Sequence, residues 1–255
     1  MEYKIRIDLL RSAGIIILGV AVSLVVSTAV AARAYRGRFE DQTRVAQTLD
    51  VKGLARKRIR SDVAVWQIVV KGEGAALRDA YDVLDRGMES VLAFLRKREF
   101  AEDAIRTGAI GTETHYARDD RGRETRKVES YSLSRTLTVT TGALERVAAA
   151  AGKVTELIKQ DVLVVSQPPE YYYTRIADLK IELMGLASRD ARARAEEIAR
   201  NAGCTVGEVR AAHMGVLQVT RPHSTEVRSY GIYDTGTIDK DVRAVVTVTF
   251  GVQAQ

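Results

Sequence analysis

The side-chain types that usually perform chemistry are thinly spread along this chain. His115, His213 and His223 lie far apart and in none of the spacings that zinc sites use, and Cys204 is the only cysteine. We therefore expect no metal site and no intramolecular disulfide. Cys204 follows a glycine at the end of a helical pattern, where a small buried thiol is a better interpretation than a reactive one.

Phosphate-binding and hydrolytic motifs are also missing. Gly152-Lys153 resembles the end of a phosphate loop, but Val147 stands where the first glycine belongs. Val154 replaces the Ser or Thr that would hold magnesium. No GxSxG nucleophile elbow occurs. We predict a non-enzymatic protein that uses no cofactor.

The charge balance is moderately basic, with 39 Lys and Arg against 33 Asp and Glu in 255 residues. A basic excess can indicate contact with nucleic acid or another anionic surface. The clusters at Arg56–Arg60, Arg96–Arg98 and Arg118–Lys127 lack the interleaved aromatic side chains that stack on bases. We interpret them as solvated faces and expect no nucleic-acid partner. A site for an anionic ligand or lipid headgroup on these clusters is the alternative function.

An apolar run from Ala13 to Ala32 contains no charged side chain. As a helix rising about 1.5 Å per residue it would span roughly 30 Å, the thickness of a bilayer's hydrocarbon core. Basic residues precede it, as they do in signal peptides and signal anchors. The run is long for a signal peptide, so we favour an uncleaved anchor, with cleavage after Ala31 or Ala34 as the alternative. The flanking charges are nearly balanced and leave the orientation open.

Four small residues, Gly19, Ser23, Ser27 and Ala31, recur at every fourth position within this run. On a helix they would share one face, where a second helix can approach closely. We therefore identify them as candidate anchor-helix packing positions.

The periodicity after residue 47 predicts an α+β fold of mostly antiparallel strand pairs alternating with three helices, preceded by one N-terminal transmembrane helix. The predicted helices are Ala75–Arg98, Leu144–Lys159 and Ile176–Asn201. The predicted strand pairs are Thr48–Ala55 with Asp62–Lys71, Ala104–Tyr116 with Val128–Thr140, Val162–Val165 with Glu170–Thr174, and Glu208–Thr220 with Asp241–Val252.

The connections are marked by charge and by glycine. We expect the basic stretch after Ala55 to be a turn region, the sequence from Gly72 to Gly74 to be a loop, and the insert around Asp120 to be an exposed hairpin turn. The stretch from Arg221 to Lys240 has turn signals and no period. A loop of that length in a compact domain is usually functional or mobile.

Tyrosines supply the candidate interface. Tyr171, Tyr172 and Tyr173 follow one another in a short strand, and because alternate strand residues face opposite sides, at least one ring points away from the core. Tyr230 and Tyr233 lie in the long loop. Such amphipathic rings suit an interface, and a tyrosine-rich edge strand with solvated hydroxyls is the alternative.

Three stretches resemble the SIMPL domain family, in particular its membrane-anchored bacterial members. They are the V-K-G-x-A opening at Val51–Ala55, the D-A-x-x-R-A-E-x-I-A-x-x-A-G helix at Asp190–Gly203, and the run Asp234–Lys240. The similarity spans roughly Leu49 to Val252. It implies a periplasmic or cell-surface α+β domain that can form ring-like or channel-like homo-oligomers. It implies no catalytic residues.

Together these features predict a cytoplasmic flank at 1–12, a transmembrane signal anchor at 13–32, a juxtamembrane linker at 33–47 and a SIMPL-like domain at 48–255. The resemblance places the chain in the bacterial cytoplasmic membrane, with the domain in the periplasm or exterior. The expected function is a homo-oligomeric interaction or envelope-maintenance module. The membrane would be contacted through the N-terminal helix, and no protein partner is indicated.

Overall fold

The computed structural model describes residues 23–33 and 47–254 of the chain; residues 1–22, 34–46 and 255 lie outside them. The helices are α1 (23–33), α2 (Leu77–Lys97), α3 (Leu144–Ala151) and α4 (Ile176–Asn201). The strands are β1 (Thr48–Arg60), β2 (Val63–Gly74), β3 (Ile105–Arg118), β4 (Glu124–Thr141), β5 (Leu163–Ser166), β6 (Glu170–Tyr172), β7 (Cys204–Met214), β8 (Gln218–Thr220), β9 (Ile232–Tyr233) and β10 (Asp239–Ala254).

The predicted fold class is wrong in its arrangement and in its membrane helix. The described residues contain four helices and ten strands in two sheets, instead of three helices between consecutive strand pairs. Among these residues no helix is long and apolar enough to cross a membrane. Helix α1 covers the last part of the predicted anchor at 13–32, and the first part lies outside the described residues, as do 1–12 and most of the predicted linker.

The chain divides into two compact units. Among the described residues, the first contains 23–33, 47–53, Ser188–His213 and 246–254, and the second contains Leu54–Ala187 and Met214–Val245.

In the first unit, β7 pairs with the C-terminal part of β10. The backbone N–H of Val252 donates to the Gln47 carbonyl at 3.0 Å, and the Thr249 hydroxyl donates to the Asp50 carboxylate at 2.5 Å. The α4 residues of this unit bury an alanine at every fourth position, Ala191, Ala195 and Ala199. These small side chains make the buried stripe of the helix flat.

The second unit contains a five-stranded antiparallel sheet in the order β3-β4-β2-β5, with β6 also paired to β2. Strand β2 is central, because β4 follows one of its edges from Ala64 to Gly74 while β5 and β6 share the other. The same unit holds β8 and β9, which pair in parallel, and the adjoining part of β10, which is antiparallel to β8.

The apolar core of the second unit lies between this antiparallel sheet and helix α2. Trp66, Ile68, Leu84 and Leu95 are almost fully buried within it. Helix α2 approaches β2 so closely that a Cβ on Gly72 would lie 2.3 Å from the Ala80 carbonyl oxygen. The glycines expected to form a loop are therefore strand residues that a helix covers.

Three predicted boundaries are wrong for identifiable reasons. The basic stretch after Ala55 continues β1, because Ala55 and Ile59 point inward while the arginines between and after them point outward. The second predicted helix ends at Ala151 and gives way to a short 3₁₀ segment, Val154–Gln160. The predicted strand Glu208–Thr220 is interrupted between β7 and β8.

Candidate functional site

The β3–β4 hairpin has a backbone edge that no other described strand covers. Strand β3 lies at the end of its sheet, and no other described strand pairs with its outer edge. None of its fourteen residues is buried. Strand β2 ends opposite Tyr131, so the pairs from Ser130–His115 to Glu124–Arg118 extend beyond it as a two-stranded ribbon.

The turn of this hairpin is rigidly built. The Asp119 carboxylate accepts hydrogen bonds from the backbone N–H groups of Arg121 and Arg123, at 3.0 and 2.9 Å. The bond from the Arg123 backbone is the main cause that lowers the pKa of Asp119 below its ordinary range. Gly122 adopts a φ of +75°. The expected hairpin turn is thus confirmed, and hydrogen bonds to the Asp119 carboxylate close the end of the ribbon.

The middle of β3 carries no charge from Thr107 to Thr112. Register shifts interrupt its pairing with β4 between Thr107 and Ile110 and again beside Tyr116. Ile110 and Tyr116 expose 36% and 43% of their surface. An uncharged, uncovered strand edge with exposed apolar side chains can accept another strand by backbone hydrogen bonding.

The loop expected at Arg221–Lys240 is shorter than predicted and is held by a buried lysine. Strand β9 lies within it, and β10 begins at Asp239. The Lys240 side chain is fully buried, and its Nζ donates to the carbonyl oxygens of Asp234 and Thr237, each at 2.6 Å. It also lies 3.3 Å from the Asp234 carboxylate. With its donors satisfied in this way, Lys240 serves to hold the turn closed.

The Asp234 carboxylate is shared between this lysine and the turn. Burial alone would raise its pKa, but the hydrogen bond from the Thr237 hydroxyl at 2.5 Å and the Lys240 ammonium together lower it. Burial lowers the pKa of Lys240 by more than the nearby Asp234 carboxylate raises it, so the pKa is lower than that of an ordinary lysine. The two side chains, 3.3 Å apart, form a structural pair that closes the turn.

A second polar cluster lies at the start of β10. Arg58 Nε and Nη2 donate to the two oxygens of the buried Asp241 carboxylate, at 2.9 and 3.2 Å. The backbone N–H of His223, a residue with a φ of +62°, donates to the same carboxylate at 3.2 Å. The Arg58 hydrogen bond is the main cause that lowers the pKa of Asp241 to about 2. The cluster ties the long loop to β1 and β10.

The predicted interface tyrosines separate into different environments. Tyr171 belongs to the apolar core, so its side chain is not available to a partner. Tyr172 is half-buried and donates to the Glu170 carboxylate at 2.8 Å, and Tyr173 is half-buried beneath the Arg175 guanidinium. Tyr233 and Tyr230 are 45% and 77% exposed. Their role in an interface stays a prediction, restricted to the four accessible rings.

The small residues of the predicted anchor helix are described only in part. Gly19 lies outside the described residues. Ser23, Ser27 and Ala31 lie on α1 and are exposed, and the Ser27 hydroxyl donates to the Leu24 carbonyl at 3.0 Å. Helix association through these positions stays a prediction.

Half of the twelve Lys and Arg side chains in the three basic clusters form ion pairs with acidic side chains. Their ion pairs are Lys57–Glu182, Arg58–Asp241, Arg60–Glu145, Arg96–Glu102, Arg118–Glu124 and Arg123–Asp119. Arg56 belongs to the other half, since no carboxylate pairs with it within the described part of the chain. The described residues also contain no group of His, Cys, Asp and Glu placed to hold a metal ion.

Sequence reasoning missed one site, a pocket of about 500 Å³ on the second unit. Residues of β1, β10 and the loop after β8 line it, among them Leu54, Val227 and Arg243. Each of these residues is unremarkable in its own segment. Only the pairing of β1 with β10 brings them together.

A family model matches the chain over residues 49–250, which is most of its length. Its description is "SIMPL: Protein of unknown function (DUF541)". The chain belongs to the SIMPL family. The stretches that carried the resemblance in this SIMPL protein are structural: Ala191, Ala195 and Ala199 form a buried stripe, and Lys240 closes a turn.

No curated protein matches this SIMPL protein. Among solved structures it is similar to the de novo designed protein Foldit4, at 12% identity over 41% of this chain and 93% of that one, with a TM-score of 0.21. It is also similar to an unknown protein from Galdieria sulphuraria, at 16% identity and a TM-score of 0.22, where it spans 43% of this chain and 51% of that one. The regulatory subunit of aspartate kinase from Thermus thermophilus matches at 12% identity over 78% and 87% of the two chains, with a TM-score of 0.18. At these TM-scores the matches support no conclusion about function.

Proposed function

We propose that this SIMPL protein is a non-enzymatic interaction module that self-associates through the outer edge of β3. The observation that carries the proposal is the fourteen-residue strand itself, which is paired on one side only among the described residues. Its backbone donors and acceptors face solvent, where a strand from another molecule can satisfy them.

A second copy of the chain is the partner that fits this edge best. Two copies of β3 related by a two-fold axis run antiparallel, so each contributes the same backbone groups and the interface closes on itself. Exposed apolar residues such as Ile110 and Tyr116 add cross-strand contacts beyond the backbone bonds. The charged hairpin turn lies beyond the uncharged middle of the strand and does not obstruct it.

Sedimentation velocity of the full-length chain at micromolar concentration tests this proposal. We expect an oligomer whose dissociation shifts to higher protein concentration when Ile110 is changed to Lys, because a charge in the edge opposes strand addition. Val209→Lys is the matched control, since Val209 is an exposed apolar residue of another strand. A monomeric wild-type chain, or equal self-association of both variants, would contradict the proposal.

We also propose that the domain works in the bacterial cell envelope, outside the cytoplasm. Support comes from the N-terminal sequence, where Lys4, Arg6 and Arg11 precede the uncharged run, as basic residues do in secretion signals. Protease treatment of intact cells and spheroplasts, with mass spectrometry of the mature N-terminus, tests it. We expect degradation once the outer barrier is opened; protection in spheroplasts would contradict it.

A further inference from the structure

The pocket on the second unit combines apolar walls with unpaired cations. Its volume is about 500 Å³, within the range of roughly 300–1,000 Å³ that small-molecule sites occupy. Leu54 and Val245 contribute from β1 and β10, and Val216 and Val227 from the connections on either side of β8. Leu54, Val216 and Val227 expose 47%, 47% and 67% of their surface. A cluster of exposed apolar side chains in a concave site indicates a binding surface.

Three arginines and no carboxylate line this pocket. Arg228 is already neutralised, because its Nε donates to Glu226 at 2.7 Å. Arg56 and Arg243 have no ion-pair partner within the described residues. The site therefore holds uncompensated positive charge beside an apolar wall, which a ligand's anionic group can neutralise.

The two unpaired arginines differ in how firmly they are held. Arg243 Nη2 donates to the Ser224 carbonyl at 2.5 Å, while its Nε is buried without a hydrogen-bond partner. Arg56 is exposed and makes no side-chain hydrogen bond within the described residues, although it lies close enough to Asp241 to lower the pKa of that carboxyl. Arg243 is thus a fixed cation, and Arg56 is one that is free to turn toward a ligand.

The loop over the pocket is fixed in place before any ligand arrives. The buried Gln218 side chain donates a hydrogen bond to the Arg228 carbonyl at 2.7 Å. Its amide oxygen accepts a hydrogen bond from the Arg228 backbone N–H at 3.5 Å. Gly215 donates its N–H to the Val245 carbonyl at 2.9 Å. Gly231 adopts a φ of +90°, and a Cβ there would lie 3.1 Å from the Leu217 carbonyl oxygen. A pre-formed site loses less entropy when it binds.

We propose that this pocket binds a small amphipathic carboxylate of the fatty-acid type, with its chain on the valine and leucine wall and its headgroup on Arg56 and Arg243. A carboxylate matches the planar donor fork of a guanidinium in a way that a neutral headgroup does not. The volume suits a short or medium chain rather than a protein segment. This binding is separate from the self-association proposed for β3.

Calorimetric titration of the full-length chain with octanoate tests the proposal, with octanol as the uncharged probe of equal chain length. We expect octanoate to bind at least tenfold more tightly than octanol. Arg56→Gln should weaken octanoate binding by about tenfold, the effect of one lost charged hydrogen bond. Val227→Asp should abolish octanoate binding, because the new carboxylate repels the octanoate headgroup and makes the apolar wall polar.

Two matched measurements keep the result interpretable. Arg126→Gln removes an exposed arginine of β4 outside the pocket and should leave octanoate binding unchanged. Ile110→Lys should also leave it unchanged, which separates this proposal from self-association. Circular dichroism checks that each variant is folded. The proposal would be overturned if octanoate showed no saturable binding, or if octanol bound as tightly as octanoate. It would also be overturned if N-acetylleucine bound more tightly than octanoate, or if the Arg56→Gln variant bound octanoate like the wild type.

Discussion

Two regions of the second unit are stabilised in opposite ways. Between α2 and the β2–β4 sheet, almost every buried side chain is apolar, with Trp66 and Leu137 fully enclosed. The segment from β8 to the start of β10 instead buries Gln218, Lys240 and Asp241, each with specific partners. The sheet is therefore stabilised by burial of apolar area, whereas the loop region is stabilised by a few buried polar groups that must all be hydrogen-bonded.

That contrast bears on where function can lie. An apolar core tolerates few conformations because its packing is dense, but it offers nothing to a ligand. The polar region builds a pocket whose shape depends on individual hydrogen bonds, such as that from Gln218 to the loop backbone. Substitutions can therefore separate global stability from the shape of the pocket.

The largest loss of folding stability is expected from a substitution in the apolar region. Trp66→Ala should lower the free energy of unfolding by about 3–5 kcal/mol, because it empties a fully buried site and removes the indole bond to the Ser166 hydroxyl. Urea denaturation measures this loss. Tyr230→Ala, at a ring 77% exposed, is the control and should change stability little. A loss below about 1 kcal/mol at Trp66 would show that the core relaxes around the gap.

The polar region should respond most strongly at Lys240. Lys240→Met should cost about 2–4 kcal/mol, since it leaves the Asp234 and Thr237 carbonyls without their buried donor. Urea denaturation compares it with Lys127→Met, which alters an exposed lysine. We also expect weaker octanoate binding in Lys240→Met than in Trp66→Ala at equal fraction folded, because only the first disturbs the loop. The opposite order would contradict the division between the two regions.

The apolar region could be predicted from sequence because its signal is periodic and local. Helix α2 lies within one or two residues of its prediction, and α4, which lies outside this region, likewise begins and ends at the predicted residues. Charge misled the prediction where it competed with periodicity, as at Arg56–Arg60, which looks like a turn but keeps the inward alternation of a strand through Ile59. Gly72 was also misassigned, because from sequence alone a glycine at this position is equally consistent with a loop and with a strand that a helix approaches closely.

The polar region could not be predicted in the same way. A lysine such as Lys240 is expected at the surface. The residue types around it do not indicate that the Asp234 and Thr237 carbonyls accept hydrogen bonds from its buried ammonium group. The pocket joins Leu54 to Val227, residues that only the β1–β10 pairing and the loop after β8 bring together. The sequence did indicate the loop's importance through its length, but not what the loop covers.

The pH dependence of stability should reveal the Asp241 cluster. Its carboxyl has a pKa of about 2 in the folded chain against an ordinary 3.8, so the stabilisation is complete above about pH 5 and is lost as the pH falls through 3.8 to below 2. The loss amounts to at most about 2 kcal/mol, because solvent around the half-exposed Arg58 screens the pair. Comparing urea denaturation of the wild type and Asp241→Asn across this range isolates the contribution. Parallel curves for the two proteins would contradict it.

The smallest effect is expected one residue away, at Lys57. Its Nζ lies 2.7 Å from the Glu182 carboxylate, shorter than either Arg58–Asp241 contact, but the two side chains are 44% and 49% exposed. Exposed pairs gain little because water and salt screen both charges. Glu182→Gln should therefore cost no more than about 0.5 kcal/mol, although Asp241→Asn, on the neighbouring pair, should cost about 1–2 kcal/mol at neutral pH. Urea denaturation of both variants at low and high salt measures this difference. If Glu182→Gln cost as much as Asp241→Asn, distance rather than burial would set the strength of the pairs on β1, and the buried polar groups of the loop region would lose their special weight.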